Sequence, residues 1–392
     1  MRLCHPDGST VHLAYCTNVH PAEDLDGILR QLARYAEPVR ERLAAPSLGL
    51  GLWLAHDVAR TLATDETGLT RLRRELTTRG LEVVTLNGFP YRGFHQPVVK
   101  RAVYRPDWSE PARLAYTLDL ARVLAALLPD DAARGSVSTL PLGWRTGWTP
   151  ERQDLARRGL DALAEGLAKL EARTGRTVRA GLEPEPGCVV STVRDACARL
   201  TGLDTRRIGV CLDTCHLAVD FEDPRSSLRA LAAAGLPVVK AQLSSALQAD
   251  EPSDPAVRRA LARFAEPRFL HQTRARPDGP HPARWDDLGQ ALRTPADQAG
   301  PGPWRVHFHV PVHAEPQPPL TATGPVLTDA VHALLRGPSP VTDHLEVETY
   351  TWSVLPERDR PADDQALITG IAAELTWTRG QLLAAGLRER SR

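Results

Sequence analysis

Four stretches carry residues whose types and spacing suit chemistry on a cation or a polar small molecule. They are GLEPEPG with Glu183 and Glu185, RIGVCLDTCH with Asp213 and His216, KAQLSS with Gln242, and HLEVETY with Glu346 and Glu348. In the second, Ile208, Val210 and Leu212 alternate with Gly209 and Cys211, so it reads as a buried strand that delivers a carboxylate at its end. An Asp there, with a His three residues on, can hold a metal or orient a substrate. The same pair also suits a loop cap beside a surface histidine.

If the strands converge, Glu183, Asp213 and Glu348 repel one another in a poorly solvated pocket unless a proton or a cation neutralises them. A divalent metal is the economical answer. With an amide oxygen from Gln242 the set is oxygen-rich and suits Mn²⁺ or Mg²⁺, while added histidines tilt it toward Zn²⁺, Fe²⁺ or Co²⁺. Such histidines lie in HFHVPVH, where His307 and His309 share a face of an extended segment, and in FLHQTRA with His271. For these three, metal ligand, substrate contact and satisfied core histidine all stay open. Asn87 ends another apolar run and is a candidate substrate contact, as is Glu346, although a lone strand-end Glu such as Glu185 or Glu346 more often caps a helix or completes an ion pair.

The elements that must position these residues recur regularly. Apolar, β-rich runs fall at Val11–Thr17, Leu48–Leu54, Leu81–Leu86, Ser136–Leu140, Val178–Leu182, Ile208–Asp213, Val238–Leu243 and Leu345–Thr349. Amphipathic stretches such as Asp24–Arg42, Ala112–Leu128 and Glu151–Thr174 separate them. Eight strand–helix units predict an α/β fold of one domain over residues 1–392, a (β/α)8 TIM barrel, with an open doubly wound sheet as the alternative. Residues 245–343 break the spacing and read as a long insertion between strands seven and eight. It holds strand-like pieces at Phe269–Thr273 and Trp304–Val312 and a loop over Arg276–Pro303. A final helix is expected over about 363–387.

Composition narrows the partners. Lys plus Arg equal Asp plus Glu at 48 each in 392 residues, so no global field gathers nucleic acid or an anionic membrane, and no nucleic-acid partner is expected. Six cysteines without a C-x-x-C pair read as reduced, mostly buried thiols. The N-terminus lacks an apolar leader and no segment reaches the roughly 20 apolar residues that span a bilayer, so a cytoplasmic protein is expected.

RIGVCLDTCH resembles the strand-six signature of the xylose isomerase-like and endonuclease IV-like TIM barrels, and GLEPEPG, QLSSAL and VETY are similar to motifs of strands five, seven and eight. The resemblance implies Glu183, Asp213, Gln242 and Glu348 as the metal set with His216 beside it, and it likens H-F-H to a D-x-H pair of the nucleases. Asn87 and Thr139 stand where the nuclease pattern needs histidine, and Gln242 replaces the usual His. Across residues 10–355, HLAYCTNVHP, LGLGLWL, LNGFPYRGFH, VYRPDW, STLPLGW, FLHQTRA, HFHVPV and HLEVETYTW also resemble the EboE family of metabolite traffic proteins. That likeness implies handling or export of a secondary metabolite beside a prenyltransferase-like membrane protein, and implies no reaction.

Three functions compete on these residues. A metal-dependent isomerase or epimerase would act on a hydroxylated metabolite, with Glu183 and Glu348 moving protons and His216 bonding a substrate oxygen. A non-catalytic carrier would use the same cup, and a phosphodiesterase is the third. Phe89, Tyr91, Phe94, His95 and Arg105 could form a lid, which favours an aromatic or prenylated substrate, or they pack on the rim.

Overall fold

The structure, a computed structural model, describes residues 1–276, 283–298, 300 and 302–390. Eight parallel strands close on themselves: Thr10–Cys16, Leu48–Trp53, Leu81–Asn87, Gly135–Thr139, Val178–Leu182, Ile208–Asp213, Val238–Leu243 and His344–Val347. The ring shuts where strand eight pairs with strand one, His344 against His12 through Val347 against Tyr15. This is the (β/α)8 barrel that the spacing predicts, and closure excludes the open sheet. Arg2–Cys4 and Arg388–Glu389 add a short antiparallel extension beside strand one.

The outer ring forms for local reasons that the helix Pro150–Thr174 illustrates. Thr149 caps it, Pro150 opens it, and Gly175 ends it at φ +67°, where a side chain would be strained. Leu160, Leu163, Leu167 and Leu170 recur on one face and are buried, each contributing about 1.5–3 kcal/mol of burial. Inside the barrel, Gly51 leaves room for a carboxylate: a Cβ there would overlap Glu346.

The stretch 245–343 has two parts. Ser245–Ala249, Thr273–Ala275, Arg284–Trp285, Trp304–Val310 and Thr321–Ala322 build a separate five-stranded antiparallel sheet. Gly324–Leu335, by contrast, is one of the barrel's own helices, packed between Pro224–Ala233 and Asp364–Ala384. The first strand-like piece is shorter than its apolar pattern suggests. Phe269–Gln272 stay irregular because Phe269 N and His271 N donate to the carboxylates of Glu266 and Asp287 rather than to a ladder. Of 276–303, read as loop, residues 277–282, 299 and 301 lie outside the described residues, and the rest holds the short strand Arg284–Trp285 and a helical turn, Leu288–Ala291. All six cysteines are free. Among the described residues no helix is long and apolar enough to cross a membrane.

Candidate functional site

Strand alternation stacks the barrel's inward side chains in layers, and two layers meet at strands seven and eight. In the lower one Lys240 donates to Glu346, both fully buried. In the upper one stand Gln242 and Glu348. Glu346 is therefore no substrate contact: the ion pair holds it inside the barrel, one layer beneath the cup.

In the upper layer Glu183, Asp213 and Glu348 converge, with one oxygen of each within 4.8 Å of the others. Gln242 joins them through the ladder, opposite Asp213. Asn18 and Asn87 both donate to Oε1 of Glu348, at 2.7 and 2.8 Å, and so fix that carboxylate. Asn87 thus acts on Glu348 while also lining the cavity.

Three imidazoles face the same space. His216 Nδ1 lies 2.9 Å from the Pro184 carbonyl and His309 Nδ1 lies 2.7 Å from the Glu348 carbonyl. His307 Nδ1 lies 2.8 Å from Oε1 of Gln272, whose amide nitrogen donates to Tyr104 and Glu185. Carbonyl oxygens only accept, so this network places each proton on Nδ1 and turns each Nε2 lone pair toward the cup. The Nε2 atoms of His216 and His307 stand 3.1 Å apart, a contact that a shared proton or cation relieves. Ligating histidines characteristically donate their other nitrogen to a carbonyl in this way.

The buried polar atoms without a partner give the fit test for a metal. Glu183 Oε2, Asp213 Oδ2, His309 Nε2 and both amide atoms of Gln242 are buried and unbonded. Buried polar atoms are nearly always satisfied, and here several acceptors lie together among carboxylates. The donor set fits a divalent cation held by Glu183, Asp213, Gln242 and Glu348, with His309 supplying a nitrogen in addition to the strand-seven amide.

Electrostatics agrees. The Glu183 carboxyl is pushed well above its ordinary range, by burial first and then by the charges of Glu348 and Asp213. Burial and then Asp213 and Glu346 raise Glu348 as well. The folded, metal-free chain therefore holds these protons more tightly than the unfolded chain, and the stability they confer falls as pH rises from 4.5 through the raised values. Buried His20 and His344, pushed down to about 3, act oppositely, destabilising the fold as pH drops below 6.5. Above neutrality the raised carboxyls are joined by the buried thiols of Cys16, Cys188, Cys211 and Cys215, held up by burial, and together they outweigh the buried Met1 amine, lowered to about 6. Metal-free protein is expected to unfold at a lower temperature at about pH 8.5 than at about pH 7, with saturating Mn²⁺ flattening the difference. A midpoint that rises over that interval without metal contradicts this.

The cavity has a polar floor and an apolar mouth. Its floor holds Glu183, Glu348, Glu185 and the three histidines, with Asp213 behind them. At the mouth Phe94, Phe269 and Tyr350 meet with ring centroids 4.9–5.3 Å apart, contributed by the loop after strand three, the insertion and the turn after strand eight. Phe89 also lines it. The other lid candidates face elsewhere: Tyr91 stacks on His56, His95 bonds the Asn18 carbonyl, and Arg105 pairs with Glu110.

His271 is a strut rather than a substrate contact. Its Nδ1 meets the His307 carbonyl and its Nε2 meets Glu266, both at 2.8 Å, and it is fully buried. The next residue, Gln272, is the one that reaches the site. Sequence reasoning also passed over Glu185, weighed there as a cap. It lines the cavity, accepts from Tyr104 at 2.7 Å, and has its carboxyl raised, chiefly by burial. The adjoining Pro184 and the motif's second carboxylate were its only signal.

A closed parallel barrel with ionisable side chains gathered at the strands' C-terminal ends defines the class of protein. The chain belongs to the xylose isomerase-like TIM barrel family, whose model matches residues 46–267. Among solved structures it is similar to a xylose isomerase-like TIM barrel protein from Mycobacterium smegmatis in complex with magnesium. That match has 12% identity and a TM-score of 0.51, over 95% of this chain and 98% of that one. It is also similar to an L-ribulose 3-epimerase, with 14% identity and a TM-score of 0.50, over 96% of this chain and 95% of that one. At these identities the likeness shows the fold. No curated protein matches the sequence.

Proposed function

We propose that this protein is a divalent-metal-dependent isomerase or epimerase acting on a hydroxylated small molecule. The observation that carries the reading is the group of buried, unbonded acceptors, Glu183 Oε2, Asp213 Oδ2 and His309 Nε2, beside the amide of Gln242. A bound Mn²⁺, Mg²⁺, Zn²⁺ or Co²⁺ supplies polarisation of a carbonyl and its neighbouring hydroxyl. Of the chain's own groups, one of Glu183 and Glu348 takes a proton from the carbon next to the carbonyl and the other returns one, inverting that centre. His216 and His307 bond substrate oxygens at the floor. The aromatic mouth favours an aromatic or prenylated metabolite over a bare sugar.

The finer resemblance to EboE-type metabolite traffic proteins supports a place in secondary-metabolite handling or export, in the cytoplasm, in functional association with a prenyltransferase-like membrane protein. A carrier without turnover is the second reading, favoured by the aromatic closure of the mouth. A phosphodiesterase is disfavoured because Lys100, the cation at the rim, is paired with Asp287.

Metal analysis of protein purified without chelator tests the core of this. About one divalent ion per chain is expected, together with exchange of a substrate C–H for solvent deuterium when hydroxylated aromatic metabolites are supplied. Metal uptake with ligand binding but no exchange selects the carrier. Metal-free protein that takes up neither Mn²⁺ nor Zn²⁺ overturns the site.

A further inference from the structure

Glu374 lies outside the cup, on the helix Asp364–Ala384, among Ile371, Leu375 and Leu382 on the face that packs against the barrel. It is 2% exposed, and among the described residues no cation pairs with it. A buried carboxylate without a counter-charge is expensive, so its contacts matter. Oε1 accepts from Val312 N at 3.1 Å and from Thr349 Oγ1 at 2.6 Å, and Oε2 accepts from Trp352 Nε1 at 3.1 Å.

Those three donors come from the segments that carry site residues. Val312 lies three residues after His309. Thr349 follows Glu348. Trp352 sits in the short helix Tyr350–Val354, whose Tyr350 closes the mouth and whose Thr351 donates to the His309 carbonyl. His309 Nδ1 in turn bonds the Glu348 carbonyl. One carboxylate therefore ties together the end of the insertion's strand Trp304–Val310, the end of strand eight and the turn behind the mouth.

We infer that Glu374 is a positioning residue that holds His309 and Glu348 in register for the cation. The inference rests on the metal reading of the cup. Both Val312 N–H and Trp352 Nε1–H can only donate, so both oxygens must accept; an amide in that place sets one donor against another.

The test is Glu374→Gln, with Leu382→Ala on the same helix as the control for lost stability. Removing support of this kind is expected to weaken metal affinity about 10–100-fold. Mn²⁺ binding, measured on folded protein, should fall by that factor in Glu374→Gln and stay unchanged in Leu382→Ala even where the latter melts lower. In metal-free protein the His309 Nδ1 proton, followed by NMR, should be protected from exchange in the wild type and lose that protection only in Glu374→Gln. Wild-type protein that binds no Mn²⁺ overturns the metal reading, and the proton-exchange comparison then decides the positioning role alone. Wild-type affinity and protection in Glu374→Gln, or an equal loss in Leu382→Ala, overturn the positioning role and leave the metal reading standing.

Discussion

Replacing Asp213 with Asn is expected to lower Mn²⁺ affinity at least about 100-fold while raising the unfolding midpoint of the metal-free protein. The two oxygens of Asp213 have separate tasks. Oδ1 accepts from His216 N at 2.9 Å and from Ser244 Oγ at 2.8 Å, which caps the helix Thr214–Val219, and the Asn oxygen keeps both bonds. Oδ2 is buried and unbonded. Turning it into an amide nitrogen removes a proposed ligand and the negative charge that, after burial, helps push the Glu183 and Glu348 carboxyls up. The neighbouring carboxylates can accept the new N–H groups, so relief of repulsion dominates without metal. Unchanged affinity, or a lower metal-free midpoint, would sink the assignment of Asp213 to the cation.

Beneath that layer, Lys240→Met is expected to cost about 3–5 kcal/mol, since it strands a buried carboxylate. Lys240 and Glu346 are fully buried and bonded to each other. Changing both, as Lys240→Met with Glu346→Leu, should recover most of the loss, because a buried ion pair replaced by apolar side chains of similar size is often neutral. Urea unfolding of the three proteins measures this. A single variant within about 1 kcal/mol of the wild type would show that the pair leaves the barrel's core stability untouched.

Local signals foretold what local physics decides. Strands five, six and seven keep the bounds read from their apolar runs, and Glu183, Asp213 and Glu348 meet because parallel strands in a barrel bring their C-terminal ends to one face. Period two also put His307 and His309 on one side of the cavity. It could not say that Glu346, two residues before Glu348, meets a lysine from the neighbouring strand, because that depends on lateral register. Nor could it choose between His271 and Gln272, since Phe269–Gln272 have no regular period. Glu374 was invisible for a related reason: a single Glu in an amphipathic helix reads as solvated until its three distant donors are in place.

The closure of strand eight on strand one has a consequence for the order in which the molecule is made. That seam joins residues 12 and 344, among the most distant pairings in the chain, and it waits for the whole insertion between strands seven and eight. Contacts of such long separation form late, because the intervening loop must first be closed. Glu348 and its two amide partners, Asn18 and Asn87, come together only across that seam. A chain still emerging from synthesis thus carries Glu183 and Asp213 without Glu348 beside them, and the three-carboxylate cup is complete only with the last act of folding.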